Sequence, residues 1–504
     1  MKTSLYGIIN IGASAFRMII SELNAQGMKE IDYLIKPLRL GMDTFSQGFI
    51  SLEHVKQAAH ILCGFKRKLE EYGIKNYKAV CTSGVREAGN KDFFIDYIKI
   101  HSGIDLEILE PSEEVYIKYL AARSTVANFS KMEKEGIVFA NIASGNVTLS
   151  VTKSGGILYS GALPYGSLRL RQMFLHIDSS KRFMAFDQYA ENMVSTVAGT
   201  IGKNAKIKNL VGSGSSITLI ERIFKPAERF IYAEDLKNLY KRTRTYKKQE
   251  LMEELNLRED EAEVLIPTLC TYIHLLKFAG TDRFHFSKEA FPTTLAMFYT
   301  NRLKDSGYYK IFKNTIISIG KRYGINICHA KRVAKFTKKL FDDMADLHSL
   351  GKNEYLILET AALLYQVGNY IDAKNTAYNS FFIIKSISIP GWSGRDIFLT
   401  ACAVYYMDMR LSDKTATFND YLSVNEKLLV NKLACLLRTA AALDAGKTGA
   451  IEDFEISIHN NMVLIDAKTA REPFLELTAF DRQKSSFEAT FGIPISITTK
   501  VNYD

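Results

Sequence analysis

Two asparagines, Asn10 and Asn141, end hydrophobic runs and are followed by tight turns of small residues. At a strand tip, such a turn lets backbone N–H groups approach an anion closely, as phosphate-binding loops do. A metal-assisted phosphate enzyme would carry aspartate at such a tip, because Mg²⁺ prefers hard anionic oxygens. Asparagine keeps a neutral oxygen but loses the charge, so both positions are weak candidates for metal ligands. The turn residues predicted to bind phosphate are Gly12, Ala13 and Ser14, and then Ser144, Gly145 and Asn146.

A third small-residue turn lies between a predicted strand at Asn209–Val211 and a helix that begins near Ile217. This turn would place phosphate at a helix N-terminus. One such turn is weak evidence, but three in one chain favour phosphate binding over three unrelated hairpins. The third set of predicted phosphate-binding residues is Gly212, Ser213, Gly214 and Ser215.

Arg86 and an acidic pair, Glu113 and Glu114, are the charged candidates. Arg86 follows a strand end and would clamp phosphate oxygens in a bidentate manner, or else form a surface ion pair with Glu87 or a neighbour. One of the two glutamates would orient the water that attacks phosphorus. The alternative for the pair is stabilisation of a helix N-terminus behind a Ser112 cap.

The bulk composition favours a soluble protein with an anionic partner. The chain has 504 residues, with 65 Lys and Arg against 55 Asp and Glu and a net charge of +10. That excess favours nucleotide, polyphosphate or nucleic acid as partner, although an uninvolved basic surface explains it equally well. The basic run Lys241–Lys248 would track a polyanion or form a solvated helix face, and the second interpretation is favoured.

The chain contains no sign of secretion or membrane insertion at the sequence level. The N-terminus enters a strand without a signal-peptide core, and no run of roughly 18 apolar residues occurs. The six cysteines are scattered without CxxC spacing, which predicts buried thiols in a reducing cytoplasm. We therefore expect a cytoplasmic protein without a membrane partner.

The hydrophobic patterns predict two α/β units in succession, which is the signature of an internal duplication with a ligand cleft between the copies. In the first unit, strands are predicted at Leu5–Ile11, Phe16–Leu23, Glu30–Leu40, Lys78–Thr82 and Leu106–Leu109, and helices at Leu52–Tyr72 and Lys91–Ile100. In the second, strands are predicted at Ile137–Ala140, Val147–Val151, Ile157–Leu163 and Asn209–Val211, and a helix at Ser167–Leu175.

The spacing of apolar residues becomes helical after about residue 305. A helical domain is predicted there, followed by a small α/β cap with strands at Phe454–Ile458, Met462–Ala467 and Phe474–Thr478 and a helix near Gln483–Phe491. The predicted helices are Lys310–Tyr323, Ala330–Leu347, Tyr355–Tyr370, Arg395–Met407 and Ser423–Leu443.

At these motifs the chain resembles the exopolyphosphatase/guanosine pentaphosphate phosphohydrolase family, over essentially residues 5–500. The family's opening Asp-Ile-Gly-Ser-Asn-Ser-Phe-Arg appears as Asn10-Ile11-Gly12-Ala13-Ser14-Ala15-Phe16-Arg17. Further markers follow in family order: Arg39-Leu40-Gly41, Thr82-Ser83-Gly84-Val85-Arg86-Glu87-Ala88, Ser112-Glu113-Glu114, and Leu163-Pro164-Tyr165-Gly166-Ser167-Leu168-Arg169-Leu170.

The resemblance implies two ribonuclease-H-like domains of the actin and sugar-kinase superfamily around a cleft. The implied domains are 1–125 and 126–305, then a helical HD-like domain at 306–448 and the α/β cap at 449–504. It also implies release of terminal phosphate from polyphosphate or guanosine pentaphosphate with Mg²⁺ or Mn²⁺, a catalytic glutamate from the Glu113–Glu114 pair, and a homodimer. No specific nucleic acid is implied.

The departures from the family pattern fall where chemistry should be. The family's Asp-Ile-Gly-Gly-Gly-Ser-Thr-Glu becomes Asn141-Ile142-Ala143-Ser144-Gly145-Asn146-Val147-Thr148, so with Asn10 three metal-facing carboxylates have become neutral. In the HD-like region the family's His-Asp reads Tyr365-Gln366, which leaves His329 as a structural imidazole and predicts no metal there. Two hypotheses remain: a working phosphohydrolase, or a degenerate member that binds polyphosphate or guanosine tetraphosphate as a sensor or scaffold. A sugar kinase or heat-shock-type ATPase is a distant third.

Overall fold

The structure is a computed structural model of the chain. It describes residues 4–24, 27–174, 176–202, 206–226, 228–287, 291–300, 308–389, 391–408, 418–459 and 461–501. The chain divides into two compact units, Met1–Phe312 and Lys313–Asp504. Leu175, the predicted end of one helix, and the domain boundary predicted at residue 305 lie outside the described residues.

The first sheet has five strands in the spatial order β3-β2-β1-β4-β5. Strands β1 to β3 form an antiparallel meander, and β4 and β5 are added in parallel on the other side of β1. The central strand β1 is buried from Gly7 to Ile11, which explains its continuous hydrophobic run. The strands are β1 (Ser4–Ile11), β2 (Ala15–Asn24), β3 (Gly27–Pro37), β4 (Tyr77–Cys81) and β5 (Glu107–Ile108).

The second sheet repeats this topology, which confirms the predicted α/β duplication. Its order is β10-β11-β9-β6-β7-β8, in which the meander β6 to β8 corresponds to β1 to β3, and β9 and β11 are added in parallel. Only the antiparallel edge strand β10 has no counterpart in the first sheet. The strands are β6 (Ile137–Ile142), β7 (Val147–Lys153), β8 (Gly156–Leu163), β9 (Asn209–Ser213), β10 (Phe230–Tyr232) and β11 (Arg283–Phe286).

One strand predicted in the first sheet is too long. Glu30–Leu40 was predicted as a strand, but β3 ends at Pro37 and Leu40 begins a helix. Proline has no N–H to donate to the ladder, and the N–H of Gly41 donates to the carbonyl of Ala13 at 2.8 Å. The helices are α1 (Leu40–Gln47), α2 (Leu52–Glu71), α3 (Ser83–Arg86), α4 (Lys91–Ser102), α5 (Pro111–Thr125), α6 (Phe129–Glu135), α7 (Ser167–Met173), α8 (Ser179–Ile201), α9 (Ser215–Phe224), α10 (Ala233–Thr243), α11 (Lys248–Leu255), α12 (Glu259–Ala279) and α13 (Phe291–Tyr299).

Helix α5 is the central helix of this unit. Ile117 packs in a cluster with residues of β1, β2 and β4, whereas Tyr119 and Ala122 pack in a cluster with residues of β6 and β9. Residues 114–122 of the helix are all buried. A charged side chain within this stretch therefore has no surface to reach and must find its partners inside the protein.

Helix α12 is the one helix of the described residues that is long and apolar enough to cross a membrane. Most of it, 61% of its most apolar window, is buried inside the protein. Its apolar residues belong to the core of the second sheet, for example Leu265 and Leu276. We therefore interpret α12 as a core helix.

Between residues 308 and 442 the described part of the chain is mainly helical, as predicted. The helix predicted at Ala330–Leu347 is interrupted at Met344, and the one predicted at Tyr355–Tyr370 ends at Leu364 and is followed by a short 3₁₀ turn. The helices are α14 (Tyr308–Arg322), α15 (Ile327–Asp343), α16 (Ala345–His348), α17 (Lys352–Leu364), α18 (Thr376–Ser386), α19 (Gly394–Tyr405) and α20 (Val424–Ala442), with 3₁₀ turns at Val367–Tyr370, Ala373–Asn375 and Asn419–Tyr421.

The C-terminal α/β part contains a three-stranded sheet of β12 (Ile451–His459), β13 (Met462–Thr469) and β14 (Ile495–Val501). The strand predicted at Phe474–Thr478 is wrong, because these residues begin helix α21, Phe474–Phe491. Its buried residues Glu476, Phe480, Gln483 and Phe487 recur every three to four positions, which is the helical period. The four domain boundaries and the HD-like character of the helical part stay predictions.

Candidate active site

The acidic pair lies at the start of the buried helix α5. The helix begins at Pro111, a favourable first position for proline, and Glu110 is its N-cap, so Ser112 lies inside the first turn rather than capping it. Glu114 is 2% exposed, whereas Glu113 is half-buried and its charge acts on Tyr299, whose pKa is raised first by burial and then by this carboxylate. Of the two glutamates, Glu114 belongs to the buried polar cluster.

Glu114 forms ion pairs with two cations, the buried Lys118 and the partly buried Arg86. Lys118 Nζ donates to Glu114 Oε1 at 2.7 Å, and Arg86 Nη1 donates to Glu114 Oε2 at 3.2 Å. Burial raises the pKa of the Glu114 carboxyl, but the charges and hydrogen bonds of Lys118 and Arg86 outweigh it and hold that pKa below its usual range. Glu114 is therefore an ionised carboxylate with a cation on each oxygen.

Lys118 also connects the helix to the second sheet. Its Nζ donates to Asn141 Oδ1 at 3.0 Å and approaches Thr148 Oγ1 at 3.5 Å, and it lies 4.8 Å from the centre of the Phe291 ring. Asn141 and Thr148 are direct neighbours in the β6–β7 ladder. Sequence reasoning missed Lys118, although a lone charge within an otherwise apolar helical stretch from Val115 onward was a signal that could have found it.

Asn141 joins this cluster to the third small-residue turn. Its Nδ2 donates to Ser213 Oγ at 2.9 Å, and a Cβ on Gly214 would lie only 2.4 Å from Asn141 Nδ2. Gly214 has a φ of 91°, which glycine adopts without strain, and is the N-cap of α9. Ser213 is thus buried against Asn141, whereas Ser215 is exposed.

The first and second turns meet. Ser14 Oγ donates to Ser144 Oγ, which joins the loop after β1 to the loop after β6. A Cβ on Gly84 would lie 2.8 Å from Ala13 Cα, and one on Gly145 would lie 2.4 Å from Ser83 Oγ. The first residues of α3 are thus packed against both turns, without room for a side chain at Gly84 or Gly145.

Arg169 and Phe45, two further residues that sequence reasoning missed, contact the second turn. Arg169 Nε donates to the carbonyl of Gly145 at 2.8 Å, and its guanidinium stacks 4.1 Å from the centre of the Phe45 ring. The same guanidinium forms an ion pair with Glu87. The alternative for Arg86, a surface pair with Glu87 or a neighbour, is not observed, because Glu87 pairs with Arg169 and Arg86 pairs with the buried Glu114.

A cavity of about 490 Å³ lies beside these groups. Arg86 and Asn146 line it, whereas Gly12, Ala13 and Ser14 do not, and neither do the residues of the third turn. Asn146 is 3% exposed, and its Oδ1 has no hydrogen-bond partner among the described residues. The lining residues are Arg86, Glu87, Lys91, Ile108, Glu110, Pro111, Asn146, Ala162 and Pro164.

The two weak metal positions do not fit a divalent cation. Asn141 Oδ1 accepts from the ammonium of Lys118, and Asn10 offers a neutral oxygen that has no hydrogen-bond partner among the described residues. A Mg²⁺ site needs several oxygen ligands, at least one of them usually anionic. The carboxylate that contacts Lys118 beside Asn141, Glu114, already has a cation on each oxygen. An ammonium therefore occupies the position between these oxygens.

The other charged features of the sequence lie in structural contacts. The run Lys241–Lys248 is largely exposed, and Lys248 pairs with Glu259 and Glu263, which fits a solvated surface. His329 is buried between two partners, Asp444 Oδ2 at 2.6 Å from Nδ1 and the Tyr365 hydroxyl at 2.5 Å from Nε2.

Comparison with known proteins supports one family over most of the chain. A model described as the Ppx/GppA phosphatase family matches residues 19–291, and one described as Ppx/GppA phosphatase, domain III, matches residues 311–480. Among similar proteins is a guanosine-5'-triphosphate,3'-diphosphate pyrophosphatase of Vibrio campbellii, 20% identical over 506 residues and 99% of both chains. Another with that name, from Pseudoalteromonas translucida, is 22% identical over 92% of both chains.

Solved structures show the same fold. An exopolyphosphatase from Cytophaga hutchinsonii is 20% identical with a TM-score of 0.53, and the match covers 59% of this chain and 98% of that one. The Aquifex aeolicus Ppx/GppA family member is 18% identical with a TM-score of 0.50, over 60% of this chain and 100% of that one. The chain described here belongs to the Ppx/GppA phosphatase family.

Proposed function

We propose that this protein binds the terminal phosphate of a phosphoanhydride, inorganic polyphosphate or guanosine pentaphosphate, beside Arg86 and hydrolyses it with water oriented by Glu114. The observation that carries the proposal is that Arg86 both lines the 490 Å³ cavity and donates a hydrogen bond to Glu114. A phosphate-binding cation and the candidate catalytic carboxylate are thus neighbours. The names of the relatives as pyrophosphatase and exopolyphosphatase support this class of substrate.

The binding step depends on charge and on the second turn. Arginine binds phosphate oxygens through paired N–H groups, and Asn146 adds a buried amide in the same cavity. Only one guanidinium nitrogen, Nη1, is used in the bonds to Leu109 and Glu114. Phosphate would be held between Arg86 and the turn that contains Asn146.

The hydrolytic step breaks the bond between the terminal phosphorus and its bridging oxygen. A water molecule donates a hydrogen bond to the Glu114 carboxylate and attacks the terminal phosphorus. The water proton moves to that carboxylate or to the bridging oxygen, which leaves with the shortened polyphosphate or nucleotide. Because the pKa of Glu114 is lowered by its two cations, it is a weak base, and Brønsted behaviour then predicts slow turnover. No step in this scheme passes through a metal.

A second candidate function is binding of polyphosphate or guanosine tetraphosphate without hydrolysis. The observation that favours it is that both oxygens of Glu114 already accept hydrogen bonds from cations. A carboxylate held in this way orients water poorly, while the cavity and Arg86 still attract an anion. The protein would then act as a sensor or scaffold.

One experiment separates these functions. Phosphate release from inorganic polyphosphate and from guanosine pentaphosphate is measured on the purified full chain, in parallel with binding of both ligands by calorimetry. Release that disappears in Glu114→Gln while binding persists supports the enzyme. Binding without release in either protein supports the sensor, and no binding of either ligand contradicts both. Lys237→Ala, an exposed charge change on α10, is the control.

The predicted homodimer is carried over as part of this proposal. Light scattering of the purified chain at several concentrations tests it, and a mass that stays at one chain, 56.9 kDa, would contradict it.

A further inference from the structure

The ammonium of Lys118 is enclosed by oxygen atoms from three different elements. Glu114 lies on α5 itself, one turn earlier, Asn141 on β6 and Thr148 on β7, and their oxygens lie 2.7, 3.0 and 3.5 Å from Nζ. The Lys118 side chain is 7% exposed. A buried ammonium is costly unless its donors are satisfied, and here all three N–H groups have an oxygen to point at.

Two of these three partners are positions where the family pattern has an acid. The motif that reads Asp at 141 and Glu at 148 in the family has Asn141 and Thr148 here, and both approach the same nitrogen. The family carboxylates at 141 and 148 are absent here, and the ammonium of Lys118 lies within 3.5 Å of both residues that stand in their place.

We propose that Lys118, which shares the Glu114 carboxylate with the cavity-lining Arg86, takes the place of a divalent metal in this cluster, so that phosphate in the adjacent cavity is bound without a metal. The phosphate part of this inference rests on the function proposed above. The metal part does not, because it concerns only which cation the cluster accepts.

The charges favour this arrangement. The charges of Glu114 and Arg86 cancel each other in this count. Three acids at positions 10, 141 and 148 with one divalent ion would then carry a net charge of −1, whereas Asn10, Asn141 and Thr148 with Lys118 carry +1. A divalent ion added to this cluster would face the ammonium at close range, and like charges at such distances repel strongly inside a protein. The cluster therefore excludes a metal and attracts an anion.

The direct test measures metal binding without any phosphate ligand. Binding of Mn²⁺ to the full chain is followed by electron paramagnetic resonance, in the wild type and in the triple variant Lys118→Met, Asn141→Asp, Thr148→Glu. We expect no stoichiometric Mn²⁺ in the wild type and at least about tenfold tighter binding in the triple variant. Lys237→Met, which removes an exposed ammonium from α10, serves as the matched control and should behave as the wild type.

Each outcome decides the inference. Stoichiometric Mn²⁺ in the wild type overturns it, and so does a triple variant that is folded by circular dichroism but gains no Mn²⁺ affinity. If the triple variant does not fold, the double variant Asn141→Asp/Lys118→Met is measured instead, and the same gain in Mn²⁺ affinity is required of it. Since no phosphate is present, failure to bind polyphosphate in a separate titration contradicts the proposed function and leaves this result intact.

Discussion

Lys118 Nζ lies 2.7 Å from Glu114 Oε1, one turn further along the same helix, and both side chains are almost fully buried. A pair at this spacing on an exposed helix is worth a few tenths of a kcal/mol. Here the pair is inside the protein, so each charge depends on the other. The arrangement makes Glu114 inseparable from Lys118 and Arg86 in any mutational experiment.

Loss of the lysine alone should destabilise the protein. Lys118→Met removes one of the two cations on Glu114 and leaves Asn141 Oδ1 without its donor. Breaking a buried pair by removing one partner costs about 3 kcal/mol, and urea unfolding would measure that loss. In the double variant Lys118→Met/Glu114→Gln we expect part of the stability to return. Equal stability of Lys118→Met and the exposed control Lys237→Met would show that the ion pair is not formed.

Stability should depend on pH through Glu114. Its folded pKa is held below the ordinary value of 4.5, so its contribution is fully present above that value and is lost as the pH falls through the folded pKa. We predict that the wild type loses more unfolding free energy than Glu114→Gln as the pH falls below about 4.5. Parallel pH profiles of the two proteins would contradict the lowered pKa.

A conservative change at Arg86 should weaken anion binding. Lysine keeps the charge but cannot form the paired hydrogen bonds of a guanidinium. We expect Arg86→Lys to bind inorganic polyphosphate about tenfold more weakly in calorimetry. Arg67→Lys, at an exposed position on α2, is the matched control and should leave the affinity unchanged. An unchanged affinity in Arg86→Lys would place the phosphate elsewhere.

The packing of the second turn predicts a glycine requirement. A Cβ on Gly145 would lie 2.4 Å from Ser83 Oγ and 2.5 Å from the Phe45 ring, so Gly145→Ala should lower the unfolding free energy by about 1–3 kcal/mol. Gly64→Ala has open space around its Cβ in the interior of α2, and should instead raise it by about 0.5–1 kcal/mol. If thermal unfolding shows that both variants change the unfolding free energy in the same direction, the packing described for Gly145 is contradicted.

The helical part offers an independent prediction at His329. Tyr365→Phe removes the hydroxyl that contacts His329 Nε2 and leaves a buried ring nitrogen without a partner, which costs about 1–3 kcal/mol. Chemical unfolding would reveal this, and Tyr370→Phe, an exposed position, is the control. No loss in Tyr365→Phe would mean that this bond contributes nothing.

The sequence predicted the sheets better than the site. Strands β1, β2, β6 and β7 were predicted because their hydrophobic runs are continuous and end at turns, and the repeated motif predicted the duplication. Helices such as α8 and α10 were not predicted, and Phe474–Thr478 was assigned the wrong period because short apolar runs fit both periods. In the candidate site, Arg86 and the pair Glu113 and Glu114 are predicted from strand and helix ends, without a choice between the two glutamates.

Lys118 could not be recognised from motif positions, because its contacts with Asn141 and Thr148 form only when β6 and β7 pack against α5. Asn141 and Thr148 were identified as lost carboxylates, but the sequence does not say what replaces the missing charge. Only the fold places an ammonium from position 118 between them. In the structure, the neutral residues at 141 and 148 and the lysine at 118 form one cluster.

We predict that the cavity beside Arg86 binds phosphate with cations of the protein itself. The most direct test is the affinity of the wild-type chain for inorganic polyphosphate by calorimetry, in EDTA and again in millimolar Mg²⁺. We predict dissociation constants that agree within about twofold, a difference below about 0.5 kcal/mol. Binding that weakens more than about tenfold in EDTA would show that a divalent metal, not Lys118, supplies the charge.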